Sequence, residues 1–158
     1  MKGKTQKGIR VCAYIALVIC IVWALYSIAY FIGLLSGIVS FGEAVDWTRN
    51  SMVKAIYYVG YLASTIWVIG LCVKLVLNTF KGIRENTIFP QNNVKPLFWL
   101  ALAFFLYLLC WSNTPILYDD GFVFRIMHTN FVTPFFLLFF AFMYKVAADA
   151  VEENNLTI

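Results

Sequence analysis

Four apolar stretches separated by short polar ones organise this chain. The first, 11–39, contains no charged residue and follows directly on Lys2, Lys4, Lys7 and Arg10. A basic start before an apolar run also marks secretory signal peptides, but those carry an apolar segment of only about 7–15 residues and a small-residue cleavage site. This run is far longer and no such site follows it, so the pattern predicts an uncleaved first span. It is also longer than the roughly 20 residues a crossing helix needs. That predicts a tilt, or an early end near Gly33-Leu34-Leu35-Ser36-Gly37.

The second stretch, 55–77, holds one charge, Lys74, in its last turn. A lysine there can send its ammonium to the headgroups while its stem stays in lipid. The third, 94–111, has a start signal: Asn93 as a helix cap, then Pro96 in the first turn, where a missing N–H removes no helical bond. The fourth, 130–148, carries Thr133-Pro134 near its start and Lys145 near its end. Pro134 either begins the regular helix or kinks it.

Backbone polar groups inside lipid must be satisfied within the spanning element, which leaves helices or closed barrels. The stretches lack the period-two alternation of barrel strands and are about twice as long. The expected fold is therefore all-α: an integral membrane four-helix bundle with antiparallel up-down connectivity, a single domain over 1–158. Composition agrees. Hydrophobic residues make up 62% and charged residues 13%, with a mean hydropathy of +0.80. A soluble domain of this size leaves too much surface in water to hide that many apolar groups.

Charge then orients the bundle. With an even number of spans both termini share a side. That side holds Lys2, Lys4, Lys7, Arg10, Lys74, Lys81, Arg84, Lys95 and Lys145, against Arg49, Lys54 and Arg125 on the other. Positive residues favour the cytoplasm, so both termini are expected inside. Trp47 and Trp111 fall near the outer boundary, where aromatic belts form. The soluble parts are a basic amino-terminal tail, a cytoplasmic connector over 78–93, two outer loops and a polar carboxyl tail over 149–158. The amino-terminal lysines serve as a topology signal, and can also meet anionic lipid.

Candidate chemistry is sparse. Cys12, Cys20, Cys72 and Cys110 lie in apolar runs, form no Cys-x-x-Cys pair and stand away from His128, the sole histidine. Zinc and redox sites need soft ligands at short spacing, so neither metal nor cofactor is expected. Every charge lies near a predicted helix end, whereas pumps and proton-coupled transporters place ionisable groups at mid-membrane. Ser27, Ser64 and Thr65 are the main polar groups within the spans, and such groups commonly bond helix to helix. No nucleophile has a base in reach, so the chain reads as a non-enzyme. Asp119-Asp120-Gly121 suits an Asx turn, with Arg125 and His128 able to pair with those acids or reach headgroups. Tyr26 and Tyr30, and Tyr57 and Tyr61, are four apart and share helix faces. With Tyr107 they make either an outward-open pocket for an apolar or aromatic ligand, as a membrane binding or transport protein would use, or an interfacial belt with internal packing.

The connector and tail carry a family resemblance. Ile88-Phe89-Pro90-Gln91-Asn92-Asn93-Val94-Lys95, after the basic helix end Lys81-Gly82-Ile83-Arg84, resembles the connector of a bacterial family of small four-span membrane proteins known as domain of unknown function 2975. The ending Glu152-Glu153-Asn154-Asn155-Leu156-Thr157-Ile158 looks like that family's Glu-Asn-x-Leu-Thr-Ile. Where the family has glycine before the Phe-containing turn, this chain has Asn86-Thr87, and asparagine tolerates a left-handed turn position. After Asn-Val it has Lys95-Pro96-Leu97 in place of a more basic stretch. The family has no established activity. The resemblance implies a bacterial inner-membrane protein whose partner is a soluble helix-turn-helix transcription regulator, with a sensing or tethering role and no direct nucleic-acid contact. The residues it points to are Phe89, Asn93, Val94 and Lys95, with Glu153, Asn154, Leu156 and Thr157. A homo-oligomer, or a structural subunit of a larger membrane complex, is also compatible with small loops and long apolar helices.

Overall fold

The computed structural model describes residues 2–36, 45–119 and 121–156, with the backbone alone for 2–4 and 154–156. Four helices account for most of it: α1 (Lys2–Ser36), α2 (Ser51–Arg84), α3 (Val94–Ser112) and α4 (Thr129–Leu156). Short 3-10 turns, Gln91–Asn93 and Thr114–Leu117, enter and leave α3. The described residues form no strand, and the fold is an all-α four-helix bundle. All four helices are long and apolar enough to cross a membrane, which makes this a multi-pass membrane protein by composition and length.

The helices overrun the apolar stretches, mostly at one end. At about 1.5 Å per residue, α3 is about 28 Å long and matches the hydrocarbon core, whereas α1 and α2 reach about 52 and 51 Å and α4 about 42 Å. Hydropathy marks where lipid begins; it does not mark where backbone hydrogen bonding stops. The basic amino-terminal segment is thus part of α1. The connector expected over 78–93 shrinks, because α2 continues to Arg84. The tail expected from 149 is helical to Leu156. Pairs one turn apart support these extensions: Lys81 lies 3.8 Å from Glu85, and Lys145 3.5 Å from Asp149.

Two local expectations also change. Asn93 does not cap α3 with its side chain; it is itself in a helical conformation and its amide is spent elsewhere. Pro134 sits inside α4, five residues past its start, and does not begin the helix.

Consecutive helices are joined at both ends. The Gln6 amide donates to Asn86 Oδ1, and the Tyr58 hydroxyl to the Phe31 carbonyl, linking α1 to α2 and its exit turn. Asn78 reaches the Asn92 carbonyl, and Tyr57 the Cys110 carbonyl, linking α2 to α3 and the turn before it. Asn130 Nδ2 donates to the Leu108 carbonyl and Ser112 Oγ, linking α4 to the end of α3. Among the described residues, α1 packs on α2, α2 on α3 and α3 on α4, with no comparable packing between α1 and α4. Buried alanines such as Ala101 on α3 and Ala141 and Ala148 on α4 allow close approach. Val68, Leu100 and Ala103 form the middle of the core, against which Trp23 and Leu137 pack.

Candidate functional site

The polar end of the bundle brings the connector motif against the end of α4. Helix α2 stops in a Schellman motif: the Asn86 N–H bonds the Ile83 carbonyl at 3.3 Å and the Thr87 N–H the Gly82 carbonyl at 2.8 Å. Asn86 supplies the left-handed residue this turn needs, with φ 56. Gly82 faces Pro90 so closely that a Cβ would stand 3.0 Å from its ring and 3.0 Å from the Thr87 carbonyl. The connector is therefore folded back against the helix it leaves.

Helix α4 grips that connector. The Tyr144 hydroxyl donates to the Pro90 carbonyl at 3.2 Å and accepts from Asn93 Nδ2 at 3.4 Å. Asn93 Nδ2 also donates to Thr79 Oγ1 at 3.2 Å. The Phe89 ring meets Tyr144 edge-on at 5.5 Å. Gln91 Nε2 donates to Asp149 Oδ1 at 2.9 Å. Between these contacts lies an open groove of about 290 Å³, lined by Phe89, Pro90 and Gln91 from the connector and Ala148, Val151 and Glu152 from α4, with Glu85 at its rim.

The residues singled out from sequence fall in different places. Phe89 lines the groove and is exposed. Asn93 is buried and holds the connector to α2 and α4. Val94 is half-buried and Lys95 exposed at the start of α3. Glu153 is exposed in the last turns of α4. Asn154 and Leu156 have a described helical backbone only, and Thr157 lies outside the described residues. Gln91, Asp149, Val151, Glu152 and Tyr144 were missed. Tyr144, Ala148 and Val151 recur at spacings of four and three, a single helix face, so the signal was present once α4 is allowed to run past its apolar stretch.

At the other end, Tyr30, Tyr57, Tyr61 and Tyr107 pack together, and Tyr26 stacks on Tyr30 at 6.4 Å. Tyr57 and Tyr61 are buried and Tyr26 is 55% exposed. Phe31, Leu34 and Leu117 complete the cluster. The rings pack in the space between α1, α2 and α3. Lys54 is buried beside it, 2% exposed, with Nζ donating to the Asp46 carbonyl at 2.8 Å. The Thr48 hydroxyl and N–H bond the Asp46 carboxylate and hold its pKa below the ordinary value. Asp119 Oδ1 accepts from the Gly121 N–H at 2.9 Å, as an Asx turn requires. Arg125 lies over the Phe122 ring, 5.6 Å from its centroid, and His128 is exposed. Among the described residues no three His, Cys, Asp or Glu side chains gather as metal ligands.

Comparison with family models, with curated proteins and with solved structures finds no match to this chain.

Proposed function

We propose that this chain is a non-enzymatic inner-membrane protein that docks a soluble cytoplasmic partner in the groove between its connector and the end of α4. One observation carries the reading. Two segments more than 50 residues apart, Phe89–Gln91 and Ala148–Glu152, meet in one open groove at the end of the bundle where the helical charges collect. The excess of Lys and Arg at that end favours a cytoplasmic location for it.

The lining describes the partner. Phe89, Pro90, Ala148 and Val151 offer an apolar floor, and Glu85 and Glu152 an acidic rim. A short segment with one apolar side chain flanked by Lys or Arg suits both, the rim charges guiding encounter and the floor supplying affinity. The family resemblance implies a helix-turn-helix regulator as that partner, with the bundle as its tether. Truncation after Asp149 removes Val151 and Glu152 and leaves the membrane-crossing part of α4 whole. A pull-down from gently solubilised membranes should recover a soluble protein with the full chain and not with the truncated one. Equal recovery with both would remove the end of α4 from the function.

A further inference from the structure

A second groove at the same end shares no lining residue with the first. It lies between the start of α1 and the end of α2, measures about 510 Å³, and is lined by Arg10, Lys81 and Arg84 together with Tyr14, Leu77 and Phe80. We propose that it is a binding site for the headgroup of an anionic phospholipid.

Three cations converge there with little to neutralise them. Among the described residues Arg10 and Arg84 have no ion-pair partner, and Lys81 has only the exposed Glu85 at 3.8 Å. Helix carbonyls at the end of α2 would repel an anion. The three N–H groups that follow take up those of Lys81, Gly82 and Ile83.

The groove is also layered as a phospholipid is. Arg10 is the last charge before the apolar run of α1. One turn deeper, Tyr14 packs on Phe80 with ring centroids 4.9 Å apart. Deeper still, Val18 and Leu77 are exposed and apolar, 59% and 56%. Lys74, Leu77, Lys81 and Arg84 recur at spacings of three and four, so one face of α2 carries cations at two depths around an apolar patch. The clustered positive charge attracts the headgroup phosphate, and the apolar wall below would take the acyl chains. A soluble acidic peptide would satisfy the cations but leave that wall uncovered.

The test is lipid retention by the purified full chain, read by native mass spectrometry with phosphatidylglycerol or phosphatidylcholine added. Phosphatidylglycerol should be retained preferentially. Each of Arg10→Gln and Arg84→Gln should lower its retention about 5-fold, and the pair about 25-fold. Lys95→Gln, at the same end but outside the groove, should leave it unchanged, and the double replacement by lysine should keep the preference. Equal retention of the two lipids would overturn the proposal, as would an equal effect of Lys95→Gln or loss of preference in the lysine variant. Displacement of the lipid by millimolar inorganic phosphate would assign the groove to a free anion, and displacement by an acidic peptide would assign it to a protein partner.

Discussion

Asparagine side chains do much of the polar work in a chain with few charges. Asn113 is fully buried at the end of α3; its amide donates to the Leu109 and Arg125 carbonyls and its oxygen accepts from the Arg125 N–H at 2.7 Å. Replacing it by alanine strands both Arg125 backbone groups, and should cost about 2–3 kcal/mol in detergent-mediated unfolding of the solubilised protein. Asn93→Ala should cost distinctly less. Among the described residues its Oδ1 is buried with no hydrogen-bond partner, and Tyr144 keeps the Pro90 carbonyl as acceptor when the amide is gone. Asn86 is a backbone case: Asn86→Gly should be near neutral, and Asn86→Val should lose about 1–2 kcal/mol, because β-branched side chains resist φ near +60°. The tolerance of asparagine for the left-handed turn was legible in the residue itself. The roles of Asn113 and Asn130 were not, because a buried asparagine and a loop asparagine look alike until their partners are known. Lys54 was read only as an outer charge, and its burial beneath the Asp46 carbonyl depends on how the chain enters α2.

Among the elements, the four spans were legible because twenty apolar residues have few alternatives to a crossing helix. Their ends were not. Helix α4 runs on through Asp149, Val151 and Glu152 because these residues still satisfy helical hydrogen bonds and the Lys145–Asp149 pair straddles the boundary. That extension builds half of the groove, so a reading that stopped at the lipid boundary found Phe89 and missed Gln91 and Glu152. The other half depends on Gly82. Gly82→Ala forces the connector away from α2 and should weaken the Gln91–Asp149 contact. In a chain without its native cysteines, Gln91→Cys and Asp149→Cys should be joined efficiently by a short bis-maleimide, with yield falling severalfold when Gly82→Ala is added. An unchanged yield would show that the connector does not lean on α2.

For the whole molecule, the governing feature is the one-sided distribution of charge. The helical charges gather at the starts of α1 and α3 and the ends of α2 and α4, and Lys54 stands apart, buried at the opposite end. Exposed phenylalanines cover much of α4, with Phe135, Phe136 and Phe140 each about 60% exposed, as suits a lipid-facing surface. Cysteines introduced at Gln6 and Thr87 should therefore resist an impermeant thiol reagent applied outside intact cells. Those at Thr48 and Phe122 should react. The opposite pattern would invert the bundle and place the connector groove outside.

A soluble partner seated in the groove between the connector and the end of α4 would touch both Phe89 and Glu152. A photo-crosslinking amino acid at Glu152, in the full chain in native membranes, reads that contact. One covalent adduct with a soluble protein is expected, lost when Phe89→Ala is added and absent when the same probe stands at Val123. No adduct from Glu152, or an adduct that survives Phe89→Ala, would rule the groove out as the docking site.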